Sequence, residues 1–179
     1  GGAAAAHTGA AAAALVAMVA RGTLTKKKYE SVKEQMWALV EQAESLRTEL
    51  TQAVEEDCAA FEEVMAAFKL PKDTPEQTAI RTQAVQSATL AAAQVPLKVA
   101  GQALEVQKLA LQAASAGNLN AISDAASASA LAHAAQICAA YNVRINSLGL
   151  EDKKVAAGLI DELRILETSS AEQEEQMRQ

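Results

Sequence analysis

Lys26 to Phe68 reads KKKYESVKEQMWALVEQAESLRTELTQAVEEDCAAFEEVMAAF. Apolar residues recur at Tyr29, Val32, Met36, Leu39, Ala43, Leu46 and Leu50, alternately three and four apart. Beyond Leu50 the frame moves by one and continues as Val54, Cys58, Phe61, Met65 and Phe68. This is a 3.5-residue repeat with one stutter, the pattern of a long bundle helix that relaxes its supercoil locally. A helix essentially continuous over Lys26–Phe68 is predicted, with any irregularity near Leu50–Val54. Glu34, Glu41, Glu55, Glu62 and Glu63 lie on the other face and form a solvated stripe.

Working outward, the punctuation gives four more helices. Leu70-Pro71-Lys72-Asp73 breaks the long helix, and Thr74-Pro75-Glu76-Gln77 starts the next with an N-cap hydroxyl, Pro at N1 and Gln at N3. That helix is predicted to reach Ala116, with Gly117 at C′ and a kink near Val95, because Pro96 lacks an N–H and crowds the preceding turn. A small-residue helix from Ala4 to Ala20 precedes the long one. A fourth helix begins at Asn120 and ends within Tyr141–Asn146. A fifth covers Glu151–Leu166, and Thr168–Gln179 reads as a frayed helix end. The expected fold is all-α: one antiparallel bundle domain over 1–179, about five helices with two of them long, assembling as a two-fold homodimer through flat alanine-rich faces.

Composition agrees. Of 179 residues, 43 are Ala, while aromatics are 3%, Gly 8 and Pro 3, too few turn and β-forming residues for a sandwich or barrel. The net charge of −6 argues against a general nucleic-acid binder. Ala3–Ala20 has no formal charge apart from a proton on His7, but it is mostly alanine and has no basic residues ahead of it. A buried core helix is expected rather than a membrane span or signal peptide, and the protein is read as cytoplasmic. Cys58 and Cys138 form no CxxC motif and read as buried free thiols. His7, alone among alanines, reads as a capped or core histidine. Cys138 is five residues from His133 and points to a different helix face, so no metal site is expected.

Two stretches could carry chemistry. Gly117-Asn118-Leu119-Asn120-Ala121-Ile122-Ser123-Asp124 puts one carboxylate in the first turn of a helix, and the sixteen residues after it contain no Asp, Glu, Lys or Arg, with His133 their one ionisable imidazole. Asp124 is either a complement to the positive helix end or an acid/base group walled in by alanine. His133 is nine residues on, half a turn out of phase, so it cannot be the partner. The second stretch, Arg21 with Lys26, Lys27, Lys28 and Tyr29, is the one dense basic patch of an acidic chain. It is a natural place for an anionic ligand tail.

Taken in order, Gly1-Gly2, Met18-Val19, Lys26-Lys27, Asp57-Cys58-Ala59-Ala60-Phe61-Glu62, Lys69-Leu70-Pro71-Lys72-Asp73-Thr74-Pro75-Glu76, Val95-Pro96-Leu97, Gly117-Asn118-Leu119, Ser123-Asp124, Asn142-Val143 and Ile145-Asn146 resemble one family. It is the cyclodeaminase domain of formimidoyltransferase-cyclodeaminase with its stand-alone bacterial relatives, some described as methenyltetrahydrofolate cyclohydrolases. The resemblance implies an all-α homodimer acting on a tetrahydrofolate derivative, without metal or further cofactor, with Asp124 as the catalytic residue. It implies substrate contacts at Gly1, Gly2, Tyr29, Asn118 and Ser123, with Lys26 and Lys27 for a glutamate tail and Asn142 and Asn146 for the pterin edge. Two features depart from the family pattern. Its glycine run has one Gly more and a following Ser where this chain has Ala3, and its preceding helical segment is not in this sequence. Cyclodeamination of 5-formimidoyltetrahydrofolate is the expected reaction, with methenyltetrahydrofolate hydrolysis as the alternative and a non-catalytic helical scaffold as the more remote one. Asn142 lies about 27 Å along the helix from Asp124, so a folate touching both needs a second subunit.

Overall fold

The computed structural model describes all of residues 1–179 and contains five α-helices and no strand: α1 Gly2–Leu24, α2 Lys33–Phe68, α3 Pro75–Ala116, α4 Ile122–Leu148 and α5 Lys153–Arg178. α1 is the central rod, packed on α2, α4 and α3, and α5 lies across α3 and α4. Alanine dominates the core cluster, with Met36, Leu39, Leu50, Val99, Val106, Val143 and Leu163 as its larger members. Small side chains let the helix axes approach closely, so burial is spread over many short contacts. α1 alone is long and apolar enough to cross a membrane, and 56% of its most apolar window is buried inside the bundle, as in a core helix.

α1 is longer than expected because Arg21-Gly22-Thr23 does not stop it. Thr23 is fully buried, and its hydroxyl donates to Val19 O while accepting the Asn118 N–H. The long helix, in contrast, begins later than expected. Lys27–Val32 forms a 3₁₀ turn broken at Tyr29 (φ −107°, ψ 22°), and α2 starts only at Lys33. Breaking the helix there lets Tyr29 OH accept the Leu119 N–H from the α3–α4 connection at 3.1 Å.

The expected stutter is absent. The inward positions of α2 keep one heptad frame: Met36, Ala43, Leu50, Asp57 and Val64 on one row, with Leu39, Leu46, Ala53, Ala60 and Ala67 on the other. Cys58, Phe61, Met65 and Phe68, expected inside, are exposed. The small Ala53, Ala60 and Ala67 occupy the seam instead, and close approach there leaves no room for large side chains.

α3 starts with the expected capping box at Thr74 and Gln77. It ends at Ala116 as expected, and Gly117 follows in an extended conformation (φ −82°, ψ −174°). A Cβ there would collide with the Ala113 carbonyl, so close approach is the reason for glycine. Pro96 removes the N–H that would bond Ala92 O four residues back. Asn146 of α4 supplies the missing donor, Nδ2 to Ala92 O at 2.6 Å.

A 3₁₀ turn, Leu119–Ala121, precedes α4, which runs past the expected end to Leu148. α5 begins at an Asp152 cap that accepts the N–H groups of Lys154 and Val155. It continues through the segment expected to fray, with Ser170 fully buried. Both cysteines and His7 are exposed, contrary to expectation, because the alanine seams exclude them.

Candidate functional site

The residues that the sequence singled out fall into two groups at opposite ends of α1. At its start, Gly1, Ala3, Asp57, Cys58, Phe61, Glu62, Val64, Ala92, Asn142 and Asn146 line an open pocket of about 570 Å³. Asp57 Oδ2 accepts the Ala3 N–H at 2.7 Å, so an α2 carboxylate satisfies an orphan donor of the α1 N-terminus. The approach is tight enough that a side chain at either glycine would displace a polar neighbour. A Cβ on Gly2 would overlap Asp57 Oδ1, and one on Gly1 would lie 2.7 Å from Asn142 Nδ2. Asn142 in turn donates to Cys138 O of its own helix at 2.8 Å, and Asn146 is fixed by the carbonyl that Pro96 frees. The pocket therefore combines a helix N-terminus, the carboxylates of Asp57 and Glu62, two amides and the exposed ring of Phe61.

Of the residues singled out in the sequence, Gly1, Asn142 and Asn146 line this pocket and Gly2 is buried against Asp57, which was not among them. The signal for it is the unbroken heptad row through Met36, Ala43 and Leu50. Shifting the frame after Leu50 turns Cys58 inward and hides Asp57.

At the other end of α1, Thr23, Tyr29 and Asn118 tie three connections together. Asn118 donates its N–H to Thr23 Oγ1 at 2.9 Å and accepts the Asn120 N–H on its side chain at 3.1 Å, while Tyr29 holds Leu119. Asn118 and Tyr29 thus shape the turn that leads into α4. Asp124 sits three residues into α4, half-buried beside exposed Ser123, and the chain's ion pairs all lie elsewhere. No basic side chain pairs with this carboxylate, and the N-terminal end of α4 is its nearest source of positive charge.

Lys26, Lys27 and Lys28 are exposed near this turn, with Lys28 Nζ 5.5 Å from the Tyr29 ring centroid. Arg21 is not free for a ligand: it pairs with Glu44 at 2.7 Å, and Arg47 holds the same carboxylate. The Arg21 hydrogen bond, then that of Arg47, holds Glu44 below the usual carboxylate range. The basic patch is therefore the three lysines alone.

Asp124 and Asn142 are eighteen residues apart, five turns of one helix, so they share an azimuth about 27 Å apart. The structure does not bring the two groups together within one chain.

Residues 1–164 match the formiminotransferase-cyclodeaminase family. The chain is 44% identical over 163 residues to a methenyltetrahydrofolate cyclohydrolase of Methylorubrum extorquens, spanning 91% of this chain and 78% of that protein. It is 33% identical over 152 residues to the rat formimidoyltransferase-cyclodeaminase, spanning 85% of this chain and 28% of that longer protein. The solved structure of a formiminotetrahydrofolate cyclodeaminase from Thermotoga maritima superposes with a TM-score of 0.88 at 31% identity, over 99% of this chain and 84% of that one. The chain belongs to the formiminotransferase-cyclodeaminase family.

Proposed function

We propose that the protein acts on the one-carbon unit between N5 and N10 of tetrahydrofolate, hydrolysing the 5,10-methenyl form. The observation that carries this reading is the 44% identity over 163 residues to a methenyltetrahydrofolate cyclohydrolase. Water adds to the amidinium carbon and loses a proton. The tetrahedral carbon then releases N5, leaving a formyl group on N10. A carboxylate that takes and returns a proton serves both steps, and Asp124 is the proposed shuttle.

Cyclodeamination is the second reading, favoured by the likeness to the Thermotoga cyclodeaminase. There N10 attacks the formimidoyl carbon, and the amino group leaves as ammonia once protonated. Both pathways pass through a carbon bonded to N5 and N10, so the same carboxylate fits either.

The proposed site is shared by two subunits. The pocket at Gly1, Asp57, Asn142 and Asn146 receives the pterin edge, and the partner subunit brings Asp124 together with Lys26 and Lys27 for the glutamate tail. The outward face of α4 supports this pairing. Leu131, Ala134, Cys138, Tyr141, Ile145 and Leu148 are exposed and spaced three and four apart, an apolar seam without a charge. Antiparallel self-pairing about Ala134 brings each Asp124 within one turn of the partner's Asn142, on the same side of the seam. The test is a near-ultraviolet assay with each folate in parallel. Absorbance of methenyltetrahydrofolate is expected to fall when that compound is supplied. Activity on formimidoyltetrahydrofolate alone would favour the second reading, and none on either would overturn both.

A further inference from the structure

The C-terminal turns of α5 are held to α3 and α4 by one polar cluster. Ser170 is fully buried. Its Oγ lies 2.5 Å from Gln107 Oε1 on α3 and 2.9 Å from His133 Nδ1 on α4. Its backbone carbonyl accepts from Gln107 Nε2 at 3.4 Å. The other ring nitrogen, His133 Nε2, is 2.9 Å from Glu174 Oε2, and Arg178 bonds that same carboxylate.

Serine, histidine and glutamate in this order resemble a hydrolase triad, but the proton count gives them another role. A backbone carbonyl only accepts, so Gln107 Nε2 must face Ser170 O, which turns Oε1 toward the hydroxyl. The single hydroxyl proton is spent there. His133 Nδ1 must then donate to Ser170 Oγ, while Nε2 faces a carboxylate, which also only accepts. A ring carrying one proton would set two lone pairs against each other at 2.9 Å. Ser170, buried and already donating, cannot attack a substrate.

We infer that His133 is a proton-dependent latch. With both ring protons it bridges Ser170 and Glu174 and clamps residues 167–178 onto α3 and α4. Loss of the Nε2 proton releases that segment. Glu174 is the one charged group bonded to the ring. On α5, Arg178 shares Glu174, and Glu167 is bound by Arg144 of α4 at 2.6 Å. On α3 the contact is the uncharged Gln107, and Glu105 and Lys108 on either side of it pair with each other at 2.7 Å. The docked cluster thus depends on the ring keeping its second proton.

The inference uses no feature of the folate reading and stands or falls separately. The experiment is amide hydrogen exchange on the full chain at about pH 5.5 and about pH 8.5, corrected for intrinsic rates, with imidazole ¹⁵N spectra of the same samples. Protection of residues 167–178 is expected to fall about tenfold at the higher pH relative to α1–α4. His133→Asn should show the low value at both. The ring is expected to carry both protons at the lower pH. Unchanged protection at the higher pH, or a singly protonated ring in the docked protein at the lower, would overturn it. The wild-type measurements decide even if the variant fails to fold.

Discussion

Asp124 and Asp57 are both carboxylates near helix N-termini, and their partners separate their roles. Asp57 is engaged with Ala3 N–H and packed against Gly2, whereas no basic side chain pairs with Asp124. Asp124→Asn keeps the shape but cannot move a proton. It is expected to lower kcat about 10²–10⁴-fold while folate affinity and Tm change little, since Asn also suits a helix start. Wild-type kcat in this variant would reduce Asp124 to a helix-end charge. Gly2→Ala is expected to fail differently. The new methyl displaces Asp57 and is expected to cost about 1–3 kcal/mol of stability, read as a drop in Tm together with weaker folate binding. Gly158 of α5 is the control, because a Cβ there meets nothing within 4 Å. Gly158→Ala is expected to raise stability by about 0.5–1 kcal/mol through helix propensity alone.

At the scale of elements, Pro96 and Asn146 act as a pair across α3 and α4. Asn146→Ala leaves the Ala92 carbonyl without its donor. In a Pro96→Ala background the restored N–H at position 96 can take over. The cost of Asn146→Ala is therefore expected to shrink by about 1 kcal/mol there, measured by a denaturation cycle over the four proteins. Glu44 joins the last turn of α1 to α2, and its depressed ionisation sets a sign. Its contribution is present above the ordinary carboxylate range and lost as pH falls through its own lower range. The Tm gap between wild type and Glu44→Gln should be small at neutral pH, because the pair is near the surface, and should close in acid.

Element order, the capping box and the buried small-residue helix α1 were legible in the sequence because each rests on local chemistry: period, caps, Gly/Pro placement and the run of alanine. The start of α2 was not, because Tyr29 breaks the helix to reach Leu119, ninety residues away. The frame after Leu50 was misread because large apolar residues outweigh alanine in any periodicity count, yet in this bundle the alanines face inward. That error concealed Asp57 and with it half of the pocket. The length of α5 was missed for a related reason. Its last turns are held by buried polar contacts to Gln107 and His133, which leave no hydrophobic pattern.

For the whole molecule, the central claim is that one folate is worked on by two copies of the chain, Asp124 from one and the pocket around Asn142 from the other. A single chain keeps these groups about five helical turns apart. The direct measurement is complementation. Asp124→Asn and Asn142→Leu proteins, each first shown to be folded and nearly inactive alone, are mixed, allowed to exchange subunits, and assayed by the loss of methenyltetrahydrofolate absorbance. Random pairing gives mixed dimers with one intact site each, so recovery of about one quarter of wild-type activity is predicted. Recovery of none, with exchange confirmed independently, would show that each site is built within one chain and would contradict the account.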